Sequence, residues 1–203
     1  MPKVTEEHLE SRRGQIMAAA IACFSKKGFH KTSMRDICKQ AQLSAGAVYH
    51  YFKSKDEIIE AVAEMGQQMN QQMFESAKNN SDNINSRVEK NLDNYRDFIK
   101  QPLGMQCNRA DIMFAAEALV NPHLETLGTR SYESIMSHLL ELAKEWQKSG
   151  EINKGLDSEA VAKVMFAVVQ GLQLQTVIHP DMDIDAYFEV LKALFFGEFK
   201  INR

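Results

Sequence analysis

Cysteine is scarce in this chain: Cys23, Cys38 and Cys107 are the only three in 203 residues. Their number is odd, they lie far apart, and no Cys-x-x-Cys pair occurs, which argues against a disulfide framework or a cysteine-built metal or redox centre. Cys23 and Cys38 fall within apolar helical stripes and read as small buried hydrophobes. Proline is nearly as sparse, with Pro2, Pro102, Pro122 and Pro180 as the full set. Three of the four fall between periodic segments, where helices are expected to end. Sustained two-residue alternation is missing, so half-buried strands are not expected. No apolar run approaches the ~18 residues of a spanning helix. The segment from Met1 to His8 has none of the apolar core of a secretion signal, and a cytoplasmic protein is expected. Beyond residue 56 there is no phosphate loop, zinc spacing or nucleophile elbow. His123, His138 and His179 are scattered. Neither an enzyme nor a bound metal or cofactor is expected.

What is present is apolar residue at 44% and charge at 25%, proportions of a folded chain of one domain or two modest ones. The net charge of −3 conceals an asymmetry. Residues 1–55 hold ten basic groups against four acidic ones, a net of +6, and the remainder carries −9. A basic head on an acidic body is the charge pattern of a small nucleic-acid-reading module joined to something else. A head that binds an acidic protein would show the same pattern.

The periodicity is helical throughout, and an all-α chain of about nine helices is expected. Ile16, Ala19, Ala20, Cys23 and Phe24 mark the buried face of a first helix over about 5–27, which Gly28 should stop. A second starts at Thr32 or Ser33 and buries Met34, Ile37, Cys38 and Ala41. A third spans 44–52 and a fourth about 54–78. Longer helices are expected near 82–100, 105–120, 125–149, 158–178 and 184–199.

Three short helices, the last two separated by Gln42-Leu43, have the spacing of a helix-turn-helix, here over 33–52. Within the third, Val48 and Phe52 point together and should face the core. Ala45 and Tyr49, and Gly46 and His50, form outward pairs. Small residues at the tip with hydrogen-bonding ones beside them suit a recognition helix entering a major groove. Ser44, Thr32 and Ser33 can meet phosphates at helix starts, and Lys55 adds a cation.

Gly28-Phe29, Thr32-Ser33, Asp36-Ile37, Leu43-Ser44, Gly46, Val48-Tyr49, Tyr51-Phe52 and Ser54-Lys55 occur at fixed spacing. Through them the stretch from Phe24 to Glu57 resembles the DNA-binding domain of the tetracycline-repressor (TetR) family. The resemblance implies that Thr32, Ser33, Ser44, Ala45, Gly46, Ala47, Tyr49, His50 and Lys55 face DNA. It also implies a head over 1–55 and a helical ligand-binding and dimerisation domain over 56–203. Two positions depart from the family pattern: Cys38 stands where alanine is usual, and Gln42 where glycine is frequent. If the turn at Gln42 needs a positive φ, glutamine there costs roughly 1 kcal/mol.

In the second module the helix over 158–178 is apolar on nearly every side, from Val161 and Val164 to Leu174, Val177 and Ile178. Such a helix must be covered on nearly every side. Together with the stripe of the last helix it is expected to form a four-helix interface between two copies. Val161, Val168, Leu172, Tyr187, Phe188, Leu191, Leu194 and Phe195 are the candidates. Two recognition helices related by a two-fold axis would read a near-palindromic operator. For a small-molecule pocket, Met69 and Met73 are grouped with Tyr95, Phe98, Met113, Phe114, Trp146, Phe166 and Gln170. A methionine stripe is also what a plain core looks like. The expected function is a DNA-binding repressor released by a small-molecule effector. A regulator using its ligand as co-repressor and a non-catalytic helical interaction protein are the alternatives.

Overall fold

The computed structural model describes residues 6–197, and among them there are nine α-helices and no strand. They are α1 (Glu6–Lys31), α2 (Met34–Ala41), α3 (Ala45–Tyr51), α4 (Lys55–Asn79), α5 (Ile84–Ile99), α6 (Pro102–Ala118), α7 (Pro122–Ser149), α8 (Ser158–Ile178) and α9 (Ile184–Phe195). The expected first-helix start at residue 5 and last-helix residues 198 and 199 lie outside the described residues. Elsewhere the expected elements are found, with corrections at three punctuation points.

Gly28 does not simply end the first helix. Its backbone leaves the helix at φ 75, ψ 169, and one further turn runs on to Lys31. Pro102 and Pro122 do not lie between helices but open them, three residues before the expected starts at 105 and 125. At a first helical position the missing N–H would have had no partner, and the fixed φ suits the helix. Asn121 completes the second of these starts: its side-chain oxygen accepts from the backbone N–H groups of His123 and Leu124.

The chain forms two compact units. The first runs to Gly66 and adds Arg109–Thr129. Its centre is Ile16, Ala20, Phe24, Ile37, Val48, Phe52 and Ile58, all buried, as are Cys23 and Cys38. The division expected at residue 55 differs from this contact boundary for a physical reason. Ile58, Ile59 and Ala61 at the start of α4 are buried. Phe114 of α6 meets Phe29 edge-on at 5.7 Å, and Phe29 stacks on Phe24 at 4.4 Å.

The second unit is Gln67–Asn108 with Arg130–Arg203. Its core joins Val88, Leu92 and Ile99 of α5 to Leu139, Leu142, Ala143 and Trp146 of α7, and to residues of α8 and α9. Trp146 donates its indole N–H to Asn85 Oδ1 at 2.8 Å. At the corner between α5 and α6 a Cβ on Gly104 would run into the Phe98 carbonyl, so only glycine fits there.

Helix α8 is sorted more sharply than its composition suggested. Ala162, Met165, Leu172 and Thr176 are buried, while Val164, Leu174 and Ile178 on the opposite side are 61%, 47% and 59% exposed. By length and composition it is also apolar enough to cross a membrane, with a mean hydropathy of 1.4 over its best 18 residues. That corrects the expectation that nothing in the chain approaches a spanning helix: Glu159, Lys163 and the glutamines interrupt the run without lowering the average enough.

Candidate nucleic-acid interface

The site is built on α2, the turn after it, α3 and the start of α4. Ser33 caps α2 in a reciprocal box: its hydroxyl accepts from the Asp36 N–H, and the Asp36 carboxylate accepts from the Ser33 N–H. Lys27 of α1 reaches the same carboxylate at 2.6 Å. The Lys27 ammonium, and then the Ser33 hydroxyl and N–H, hold the Asp36 carboxyl well below the usual carboxylate range. The start of α2 is thereby tied to the end of α1.

Gln42 then takes φ 56, ψ 37, the left-handed conformation that closes α2, and its N–H bonds back to the carbonyls of Cys38 and Lys39. It is the one non-glycine residue with positive φ among the described residues. The turn does need the conformation in which glycine is frequent in the family, and glutamine bears the steric cost of about 1 kcal/mol. A hydrogen bond from the Gln15 amide to the Ala41 carbonyl at 2.8 Å holds the turn against α1.

In α3 the expected sorting is found. Val48 and Phe52 are fully buried, and the Arg13 guanidinium lies 4.5 Å over the Phe52 ring. Ser44 caps the helix, accepting from the Ala47 N–H at 3.2 Å. Ser44, Ala45, Gly46, Tyr49 and His50 are exposed, and Ala47 is half-buried. No heavy atom comes near the position a Cβ on Gly46 would take, so the tip is open. At the other end Lys53 donates to the Tyr49 carbonyl at 2.9 Å, a cation on a helix C-terminus that sequence reading did not single out.

The flanking residues divide. Ser33 is exposed. Thr32 is 2% exposed, and its hydroxyl donates to the Gly28 carbonyl at 2.7 Å. Lys55 is half-buried and donates to the Phe29 carbonyl at 2.7 Å. These two side chains fasten the kinked end of α1, an assignment that their positions beside helix starts did not reveal.

Of the residues grouped for a small-molecule pocket, Met113 and Phe114 belong to the first unit and the others to the second. Gln170 is exposed, and Trp146 is buried against Phe195 and Phe196. Tyr95, Phe98 and Phe166 pack half-buried on the second core, and Met69 and Met73 are half-buried on α4. A groove of about 1000 Å³ opens between the start of α5 and the end of α7, lined by polar groups including Asn83, Asn85, Glu145 and Lys148. None of the expected pocket residues lines it. Among the residues grouped for dimerisation, Leu172, Phe188 and Leu191 are consumed by the protomer's own core. Val161, Val168, Tyr187 and Phe195 are half-buried, and Leu194 is 52% exposed. Val164, Leu174, Ile178 and Val190 are exposed as well, and the first three recur with Ala160, Ala167 and Gly171 at three- and four-residue spacing along one line of α8.

Two family descriptions match the chain. "Bacterial regulatory proteins, tetR family" covers residues 16–62, and "BetI-type transcriptional repressor, C-terminal" covers 102–195. The HTH-type transcriptional regulator UidR of Escherichia coli is 25% identical over 186 residues, 91% of each chain. Among solved structures, GusR of Salmonella enterica superposes with a TM-score of 0.73 at 25% identity, over 98% of this chain and all of that one. The fatty acid degradation regulator FadR of Bacillus halodurans shares the fold, with a TM-score of 0.80 at 16% identity over 94% of this chain and 97% of its own.

Proposed function

The chain belongs to the tetR family of bacterial regulatory proteins and is a helix-turn-helix transcriptional regulator, and from that premise we propose that it works as a homodimeric repressor released from its operator by a small molecule. The observation that carries the proposal is the tip of α3. Its buried side is fixed by Val48 and Phe52, and its open side offers Ser44, Ala45, Gly46, Tyr49 and His50. Small side chains let the backbone approach base edges, while tyrosine and histidine supply hydrogen bonds and ring contacts. Ala47 and Ser33 flank that surface. Thr32 and Lys55 serve it by holding α1 in place, and backbone groups beside them are left for phosphates. The head over 1–55 is the reading module in this scheme, and 56–203 carries dimerisation and the effector.

Dimerisation is supported by the uncovered line on α8. A helix facing lipid would be apolar all round, because polar groups there have no partner. On α8, Gln170, Gln175, Lys163 and Glu159 are exposed beside the apolar line. One apolar face flanked by polar residues fits a second copy, with Val164, Leu174 and Ile178 meeting their equivalents and Val190 and Leu194 of α9 widening the contact. The protein is placed in the cytoplasm, where its DNA is. Helix α4 runs from the first unit into the second, so an effector held in the second unit can bias the head through a continuous helix. Full release requires the effector to prefer the non-binding form by about 10⁴-fold.

The test begins with selection of duplexes from a random pool. The retained sequences should be near-palindromic, and affinity should fall steeply with salt. Tyr49→Ala should bind the selected duplex at least tenfold more weakly with an unchanged melting temperature. An equal affinity for Tyr49→Ala removes the α3 tip from the interface. Tightening rather than release by the effector would make the ligand a co-repressor.

A further inference from the structure

Inside the second unit, α5 carries an asparagine that the fold does not use. Both the oxygen and the nitrogen of the Asn91 side-chain amide are shielded from solvent, and neither meets a hydrogen-bonding partner. Its surroundings explain why this is costly. Val88 and Leu92 beside it on α5 belong to the core, and Phe74, Tyr95, Phe98 and Phe166 pack against that core. Buried polar side chains are nearly always paired, and a leucine, of the same branched shape, would leave no amide unmet.

The register of the neighbouring helices sets the level at which this amide lies. The Asn94 amide of α5 approaches the Met73 carbonyl of α4 at 3.5 Å. Lys78 of α4 pairs with Glu141 of α7. Arg87 of α5 is buried and clamped by Glu145 and Glu141. Asn91 lies between Asn94 and Arg87, one turn along α5 from the clamp, and the neighbouring stretch of α4 and α7 carries the Phe74 and His138 rings, which stack at 4.9 Å with only 8° between their planes. His138 Nδ1 is engaged with the Ser134 carbonyl at 2.8 Å. This stretch of the second unit holds a flat aromatic pair, an unused amide and, at Arg87 Nε, one more unmet donor.

Resting on the effector reading above, we infer that Asn91 is the polar anchor of an interior effector site for a small uncharged molecule presenting a hydrogen-bond acceptor and donor side by side on an apolar body. A carboxamide, a lactam or a hydroxyl beside a carbonyl has that pattern, the complement of an amide edge. Charge is disfavoured at this level. The Arg87 guanidinium is already neutralised by two carboxylates, so an anion would face Glu141 and Glu145 without a free cation. A cation would have to draw those carboxylates away from Arg87 and Lys78. A flat body can lie along the Phe74–His138 stack.

The experiment uses the full chain, with benzamide as the probe and benzoate and acetophenone as shape-matched comparisons, in the millimolar range. Calorimetry should show saturable benzamide binding to the parent, and at least tenfold weaker binding to Asn91→Leu. Melting in the absence of probe should place Asn91→Leu about 2–4 °C or more above the parent, because the unmet amide is gone. A structural asparagine predicts the opposite, a lower melting temperature. Should Asn91→Leu not fold, Asn91→Ala carries the binding comparison. The assignment is overturned by a lower melting temperature in Asn91→Leu, by benzamide binding equally to both, by benzoate or acetophenone binding as well as benzamide, or by no saturable benzamide binding. Operator binding measured on the same samples keeps the two readings apart. A parent that retains the selected duplex while benzamide fails leaves the repressor standing and removes Asn91, whereas a parent that selects no duplex removes the repressor itself.

Discussion

Helices α3 and α8 each keep one side in a core and leave the other uncovered, and the two uncovered sides are chemical opposites. The open side of α3 sets the small Ala45 and Gly46 beside the hydrogen-bonding rings of Tyr49 and His50, over the buried Val48. That of α8 is large and apolar, with Val164, Leu174 and Ile178 opposite the buried Met165 and Leu172. A surface that gains little from leaving water suits a hydrated, hydrogen-bonding partner such as a DNA groove. One that gains about 25 cal/mol per Å² on burial suits a copy of itself. The two also share a device. Gly46 and Gly171 lie on the open lines of their helices, and added Cβ atoms would meet nothing within the protomer. Glycine in a helix costs roughly 0.5–1 kcal/mol relative to alanine, and at neither position does a close approach within the protomer account for it.

The strongest way to break this contrast is to make α8 resemble α3. Val164→Glu combined with Ile178→Glu places charge on side chains that touch little in the protomer, so helix content should survive. Sedimentation should show a monomer, and affinity for a two-half-site operator should fall by at least 10³-fold as the second head is lost. A dimer that persists would move the interface elsewhere. Next in size is the reverse operation on α3. Gly46→Leu fills open space, so its melting temperature should equal or exceed that of the parent, while operator affinity drops at least 100-fold because the tip can no longer approach the bases. If the affinity holds, the tip does not enter the groove. A smaller effect sharpens the orientation of α3. Gln42→Gly relieves the left-handed strain and should stabilise the protein by about 1 kcal/mol in denaturant unfolding. No change would mean that the lower unfolded-state entropy of glutamine relative to glycine offsets the strain.

How much of this is legible in the sequence depends on which forces set each feature. Periodicity located all nine helices, because burial follows the 3.6-residue repeat that the sequence displays. The α3 tip was legible for the same reason: Val48 and Phe52 fix one side, and the remainder must face out. The strain at Gln42 was readable as a departure from the family's glycine. Less legible were Pro102 and Pro122, since a proline marks a helix boundary without saying on which side of it the helix lies. The buried hydroxyl of Thr32 was hidden because its partner, the Gly28 carbonyl, becomes available only when α1 kinks. The division of the apolar residues of α8 and α9 is less legible, because composition counts them without saying which the protomer's own core takes up. Leu172, Phe188 and Leu191 are as hydrophobic as Val164 and Ile178, yet the first three already have neighbours. The unused amide of Asn91 has no sequence signature at all, since asparagine on a helix is ordinarily solvated.

The smallest expected effect tests whether the two faces also differ in what controls them. Asp36 ties α2 to Lys27 and caps the helix that carries the turn into α3, and these contacts hold its carboxyl below the ordinary range. A folded-state pKa lowered in this way contributes stability that is complete above the unfolded value of about 4 and is lost as pH falls towards the folded one. The parent should therefore be more stable than Asp36→Asn at neutral pH, and the gap in melting temperature should close on acidification below pH about 4. Salt should shrink the gap as well, because Lys27 is exposed. The apolar line on α8 carries no titratable group at Val164, Ala167, Gly171, Leu174 or Ile178, so dimerisation of Asp36→Asn at neutral pH should match the parent while its operator affinity is modestly weaker. If the substitution instead weakened the dimer and left operator binding intact, the assignment of DNA to α3 and of the second copy to α8 would have to be exchanged.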